Sequence, residues 1–188
     1  MINTFQEQIQ HELTKINRNG MGKLIEYLKT SDFYTAPAST KYHGSHEGGL
    51  AEHSLNVFGL LSEKNERYAL GLVADTVRIC GLLHDICKVS LYFKEEKWRK
   101  DDRGKWESYK AWVVKDSFPI GHGEKSVIMI QKFIELTDTE IHMIRWHMGG
   151  FADDPRTLNQ AISLHKQVVA MATADWEATA YLDKEAVE

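Results

Sequence analysis

The amino-acid sequence predicts an all-α fold, a bundle of helices into which one small β-hairpin is inserted. Through most of the 188 residues, apolar side chains recur at spacings of three and four, which is typical of amphipathic helices. Between about residues 92 and 116 the pattern instead alternates with a period of two, which predicts paired strands. No internal repeat or linker is visible, so the chain is most simply one domain, 1–188, with a core over about 43–182.

The predicted helices follow the three- and four-residue spacing along the chain. One of them opens on Asp154 and Pro155, an acidic N-cap followed by a proline at the first helical position. In chain order the predicted helices cover about 4–16, 21–28, 50–64, 68–88, 122–133, 138–148 and 154–182.

The predicted hairpin mixes aromatic and charged side chains. Its turn falls at about 102–105, and eight lysines and arginines and six acids are interleaved with Trp98, Trp106, Tyr109 and Trp112. Aromatic and basic side chains together suit stacking on bases and binding of phosphates. The near balance of charge favours the alternative, a hairpin that covers one face of the bundle.

Composition limits the class of protein. The net charge of −4 and the pI near 6.1 argue against a general nucleic-acid coat protein, although a local basic patch is still possible. The two cysteines, Cys80 and Cys87, lie seven residues apart on one predicted helix and are expected to be reduced core residues. The sequence shows neither a signal-peptide pattern nor a long apolar stretch, so we expect a soluble, cytoplasmic protein.

The pair His84-Asp85 is the first indication of chemistry. Val73, Val77 and Cys80 form an apolar row on the predicted helix, and His84 continues that row. Burying an imidazole and a carboxylate is costly unless something pairs with them. A divalent metal pairs with both, because neutral imidazole and carboxylate are good ligands for it. The alternative is a buried His–Asp hydrogen bond.

Other predicted helices also place a histidine or an aspartate within an apolar row. His53 interrupts the row of Leu50, Val57 and Leu60, and His147 falls between Met143 and Ile144, whereas His142 falls on the wetter side. His122 stands at the start of a helix. Asp175 interrupts a row formed by Leu164, Val168, Met171, Ala178 and Leu182. Six residues of metal-ligand type on five elements form a plausible site in the core of a bundle.

These residues resemble the pattern of the HD-domain superfamily of metal-dependent phosphohydrolases: a first histidine, an adjacent His-Asp pair and a distant aspartate. The segments 48–54 and 82–88 look like the subgroup that includes HD-domain exoribonucleases. The extra histidines resemble the two-metal variant of the superfamily. The resemblance implies a first metal held by His53, His84, Asp85 and Asp175. It implies a second metal, bridged by Asp85, on His122 and His147.

The sequence departs from the family at three points. Cys87 stands where many relatives have glycine, and no Gly-Tyr-Pro motif follows the His-Asp pair, which disfavours a cyclic-dinucleotide phosphodiesterase. The N-terminal nucleic-acid-binding domain of the exoribonucleases is not found, so their substrate does not simply transfer. The ligands suit Mn, Fe, Ni, Co, Mg and Zn alike.

The resemblance implies a hydrolase of phosphate esters that acts through metal-activated water on a nucleotide or short oligonucleotide. Asp85 would be catalytic, and Lys88 would contact a phosphate oxygen, unless it is a solvated lysine at a helix end. His46, which directly follows a predicted loop over about 31–45, is a candidate phosphate contact or leaving-group acid, and His43 within that loop is a weaker one; the alternative for both is an ordinary loop histidine. Two rival functions are a mixed-valent di-iron oxygenase on the same scaffold and a silent binding module. The sequence leaves the oligomeric state open.

Overall fold

The computed structural model describes residues 2–151 and 154–183, which contain eight α-helices and one two-stranded antiparallel sheet. The helices are α1 (Ile2–Thr14), α2 (Met21–Thr30), α3 (Gly49–Arg67), α4 (Ala74–Leu83), α5 (His122–Gln131), α6 (Asp138–Arg145), α7 (Pro155–Leu164) and α8 (Gln167–Glu177). The strands are β1 (Tyr92–Lys100) and β2 (Trp106–Val114). The helical bundle with an inserted hairpin agrees with the prediction, although the hairpin makes the all-α label loose.

Helix α3 lies at the centre of the bundle and packs against α1, α4 and α8. Its buried side chains Leu50, Val57 and Leu61 belong to one apolar cluster with Ile79 of α4 and Met171 of α8. Burial of these side chains is the main force that holds the helices together, because each removes apolar surface from water. The same central helix carries His53 into the core.

The predicted helix over 68–88 is wrong at both ends, since α4 covers only Ala74–Leu83. Asn65 explains the late start: its side chain accepts a hydrogen bond from Leu72 N–H and donates one to Leu72 O, both at 3.0 Å. These bonds fix a loop between α3 and α4. Val73, expected in the core row, lies at the end of that loop and is 65% exposed.

The predicted helix over 154–182 is divided into α7, α8 and a short π-helix, Ala178–Leu182. The break falls at His165, whose φ of −133° is not helical. Its imidazole is held by Thr139 Oγ1 at 3.1 Å and stacks on His142. Leu164, which was expected in the core row, is therefore 75% exposed.

A buried ion pair ties the chain before α2 to α6. Arg18 donates two hydrogen bonds, of 2.7 and 2.6 Å, to the carboxylate of Glu140, which is fully buried. Thr76 Oγ1 donates a further bond of 2.7 Å to the same carboxylate. Glu140 also closes a capping box with Thr137 at the start of α6.

The hairpin forms where the alternating pattern predicts it. The strands pair in register from Tyr92↔Val114 to Lys100↔Trp106, and Asp101 closes the turn by accepting hydrogen bonds from the N–H groups of Arg103 and Lys105.

In the part of the chain that the structure describes, every helix is too short or too polar to cross a membrane.

Candidate metal centre

The structure brings the six predicted metal ligands together in the middle of the bundle. Five of them have side chains that are at most about a tenth exposed, and His122 is the exception, with a third of its side chain exposed. Different elements supply them: His53 from α3, His84 and Asp85 from the end of α4, His122 from the first residue of α5, His147 from the turn after α6, and Asp175 from α8.

Two of these ligands lie beyond the helices that were predicted to carry them. The helix expected over 138–148 ends at Arg145, so His147 is in the turn that follows. Likewise His84 is the C-cap residue of α4, and Asp85 lies outside it with a φ of −104°. Residues at a helix end can turn their side chains into a shared centre without the fixed angle of a continuous helix.

Asp85 divides the ligands into two groups. Its Oδ2 lies 3.6 Å from Nε2 of both His53 and His84. Its Oδ1 lies 2.7 Å from His122 Nε2 and 3.5 Å from His147 Nε2. Each carboxylate oxygen therefore faces one pair of histidines, which is the arrangement needed for a carboxylate that bridges two metals.

The tautomers of two histidines show that the centre fits a cation. His84 Nδ1 donates to Gly81 O at 3.0 Å, and His147 Nδ1 donates to Ile144 O at 2.6 Å. Because a carbonyl oxygen only accepts, Nδ1 carries a proton in both rings, and in the neutral form, which a metal ligand requires, this leaves a lone pair on each Nε2. The Nε2 of His147 is buried without a hydrogen-bond partner and points at the Asp85 carboxylate. A lone pair that faces a carboxylate in the core calls for a positive charge between them.

Asp183 is a site residue that the sequence analysis missed. Its Oδ2 accepts a hydrogen bond of 2.8 Å from His53 Nδ1, and its Oδ1 accepts one of 2.9 Å from Asn56. It follows the π-helix Ala178–Leu182, whose wider turns bring the chain back against α3. A carboxylate behind a histidine fixes the ring and raises its basicity, as at metal sites in general. Nothing in the local pattern around Asp183 distinguishes it from a surface acid.

Protonation states in the centre follow from burial and from the charges around each group. Burial lowers the pKa of His84 to about 3, so this imidazole stays neutral. Burial also opposes protonation of His53, but hydrogen bonds to Asp175 and Asp183 outweigh it and raise the pKa of His53 to about 9. The carboxyl of Asp85 is desolvated, yet the neighbouring Lys88 charge and the histidines hold its pKa well below the usual range. His53 Nε2 lies 3.0 Å from Asp175 Oδ1, so a proton on this nitrogen supplies the positive charge that a metal held by the two residues would supply.

A cavity of about 450 Å³ opens onto the centre. Asp85, Lys88, His122 and Asp175 contribute to its lining, and Lys88 Nζ lies 2.7 Å from Asp85 Oδ2. Lys88 is buried, so the alternative of a solvated lysine at a helix end is wrong. The remaining lining combines the loop before α3 and the hairpin with an apolar wall: Ala38, Ser39, His43, Tyr92, Met148, Trp176 and Thr179.

The two loop histidines take different positions. His46 Nε2 lies 3.1 Å from a carboxylate oxygen of Glu52, and His46 is not among the described residues that line the cavity. His43 lines the cavity, and its ring centre is 5.4 Å from that of His53. The role suggested for His46 stays a prediction, while the structure places the other loop histidine nearer to the centre.

Both cysteines are buried and free, but only Cys80 is on α4. Cys87 lies in a 3-10 turn, Ile86–Lys88, beyond the helix that was expected to contain it. Its Sγ is 3.4 and 3.6 Å from the two ring nitrogens of His122. Burial raises the pKa of this thiol to about 12, so it packs against the ring as a neutral group.

Comparison with known proteins agrees with this geometry. The family model for the HD domain matches residues 50–176, about two-thirds of the chain, and all six predicted ligands lie inside its limits. No curated protein and no solved structure matched. The chain belongs to the HD-domain superfamily of metal-dependent phosphohydrolases.

Proposed function

We propose that this protein hydrolyses a phosphate ester with the help of two divalent metal ions, and that its substrate contains a nucleotide. The observation that carries the proposal is the buried Nε2 of His147, which has no hydrogen-bond partner and faces the Asp85 carboxylate, together with His84 Nε2, which lies 3.2 Å from His53 Nε2 and 3.6 Å from the same carboxylate. A binding module without catalytic activity would not require metal ligands arranged in this way.

Each metal would have its own ligands around the shared carboxylate of Asp85. His53, His84 and Asp175 would hold the first ion on the Oδ2 side, and His122 and His147 would hold the second on the Oδ1 side. A bound divalent metal supplies a nucleophile at neutral pH, because it lowers the pKa of its water from ~15.7 towards 7.

The protein itself supplies the binding site for the substrate. Interaction with Asp85 outweighs burial and raises the pKa of Lys88, so this lysine stays charged inside the cavity. A buried ammonium at the cavity lining suits a phosphate oxygen. Met148 and Trp176 add apolar surface on the same cavity, against which the base of a nucleotide can lie.

The proposal is tested with metal-stripped protein that is reloaded separately with Mn, Fe, Co, Ni, Zn or Mg. Each form is assayed against aryl phosphates, nucleotides and oligonucleotides, and oxygen uptake is recorded in parallel. Asp85→Asn should abolish phosphate release and lower the bound metal, whereas Asp75→Asn on the surface of α4 should change neither. Metal should also raise the melting temperature of the wild-type protein, because ligand binding to the native state stabilises it.

Two results would contradict the proposal. One is full turnover by Asp85→Asn at normal metal content. The other is oxygen consumption by the iron-loaded protein without hydrolysis of any phosphate ester, which would favour the oxygenase instead.

A further inference from the structure

The hairpin register sorts its side chains into two different faces. Residues that pair directly across an antiparallel ladder lie on the same face, and successive residues alternate. The even-numbered positions, here called the even face, bring all three hairpin tryptophans together. They stand in the pairs Lys94↔Trp112, Trp98↔Ser108 and Lys100↔Trp106.

The two faces also differ in charge. On the odd-numbered face, Arg99 is paired with Glu107 at 2.7 Å, and Lys115, just beyond β2, is paired with Glu95 at 2.6 Å. The even face has three lysines, at positions 94, 100 and 110, against the single acid at position 96. In residues 2–151 and 154–183, the lysines at 100 and 110 form no ion pair. The near balance of charge seen in the sequence is therefore an average over two unlike faces.

Two of the three tryptophans of the even face do not cover the bundle, whereas Trp112 is half-buried. Trp98 is 62% exposed and Trp106 is 59% exposed, so the alternative in which these two rings pack the hairpin onto the helices is not supported. Lysines lie over two of the rings, with Lys94 Nζ 4.7 Å from the centre of Trp112 and Lys100 Nζ 5.4 Å from that of Trp106. The even face thus carries lysines next to three tryptophan rings, of which Trp98 and Trp106 are exposed.

The even face is continuous with the metal centre. Tyr92, its first residue, lines the cavity that contains Asp85 and Lys88. The nine residues of β1 then extend the face outward by about 26 Å at the usual rise per residue. A polymer that lies along this face would therefore have one end, or one internal linkage, at the cavity.

We propose that the even face binds single-stranded nucleic acid, with bases stacked on the tryptophans and phosphates near the lysines, and leads it to the metal centre. The inference rests on the proposed function, since it names the substrate of the same site. Lys94 pairs with Glu47 at 3.5 Å, but two exposed rings and two lysines without an ion pair among the described residues suit a chain that alternates bases with phosphates. A duplex would hide the faces of its bases, so the single strand is the form that fits.

The test measures binding of a labelled single-stranded oligonucleotide of about 10 nucleotides, a length within the usual site sizes. The Asp85→Asn background prevents cleavage during the measurement. Trp98→Ala and Trp106→Ala should each weaken binding by roughly fivefold or more, whereas Tyr109→Ala, on the odd face, should leave it unchanged. Melting curves for the three variants check that the hairpin environment is otherwise intact.

A second measurement uses salt. Lys100→Gln should reduce the slope of log affinity against log salt concentration by about 0.7, because one phosphate contact is lost. The matched variant Lys97→Gln, on the odd face, should retain the slope of the parent. In the active protein, Trp98→Ala should also lower turnover of the oligonucleotide relative to that of an aryl phosphate.

The outcomes separate this inference from the proposed function. Equal loss of binding in Trp98→Ala and Tyr109→Ala, or no loss in either, overturns the inference. So does hydrolysis of aryl phosphates by a protein that binds no oligonucleotide, a result that leaves the hydrolase assignment intact. If the metal-loaded protein hydrolyses no phosphate ester, the proposed function fails, and this inference fails with it.

Discussion

Asp183 offers the sharpest test of how the metal centre is built. Its carboxylate lies 2.8 Å from His53 Nδ1, and both side chains are 1% exposed, so no water can replace the bond. Loss of such an outer partner typically costs 10–100-fold in metal affinity, or ~1.4–2.7 kcal/mol. We expect Asp183→Ala to reach this range. Asp183→Asn should cost less, because its amide oxygen can still accept the hydrogen bond.

The pH of the measurement matters. Asp183 also raises the pKa of His53, together with Asp175. At neutral pH it therefore stabilises the protonated form of His53, whose proton competes with the metal. Removing Asp183 therefore has two opposite effects near pH 7, and the loss of metal affinity should be clearest near pH 9, where His53 is about half deprotonated even in the wild type.

The assay is competition for manganese or cobalt with a chromophoric chelator at two pH values. Asp154→Asn, which alters an exposed N-cap carboxylate on α7, is the control and should leave the affinity unchanged. Wild-type affinity in Asp183→Ala at the higher pH would refute the reasoning, and so would a loss that is identical in the control.

Three further predictions concern the same framework. His147→Ala should lower the bound metal from about two ions to about one, whereas His142→Ala should not, because His142 stacks on another ring outside the centre; metal analysis of both variants decides this. In chelated protein, the raised pKa of His53 contributes stability that is present below about pH 6.5 and is lost as the pH rises to about 9, an effect of order 3 kcal/mol. Urea titrations across that range should show the decline, and a flat profile would contradict it. Arg18→Ala should destabilise the fold by about 3 kcal/mol, because it leaves the buried carboxylate of Glu140 without its cation; a loss below about 1 kcal/mol in the same titrations would show that the pair is unimportant.

Within the candidate site, the sequence was most informative about residue types. His53, His84 and Asp175 each fall in an apolar row, and the spacing predicted that they face the core, although Val73 and Leu164 of the same rows are exposed. The same local periodicity predicted the hairpin, because alternation over nine residues has no helical equivalent. These features depend only on neighbours along the chain, which is why they could be predicted.

Other features depended on contacts between distant parts of the chain. The late start of α4 is set by the side chain of Asn65, and the break before α8 occurs where His165 bonds to Thr139. A propensity argument cannot detect such contacts, because a single side chain from elsewhere overrides an otherwise continuous helical pattern. Both expected helices were consequently too long.

The amino-acid sequence by itself thus predicted the family, the presence of the hairpin and six candidate ligand residues, which the structure brings together. Only the tertiary structure showed that Asp85 turns one oxygen to each pair of histidines, and that Asp183 stands behind His53. It likewise placed His43, and not His46, on the cavity. The physical reason is that periodicity fixes the direction of a side chain from its own helix, whereas a hydrogen bond across the bundle depends on how the helices pack.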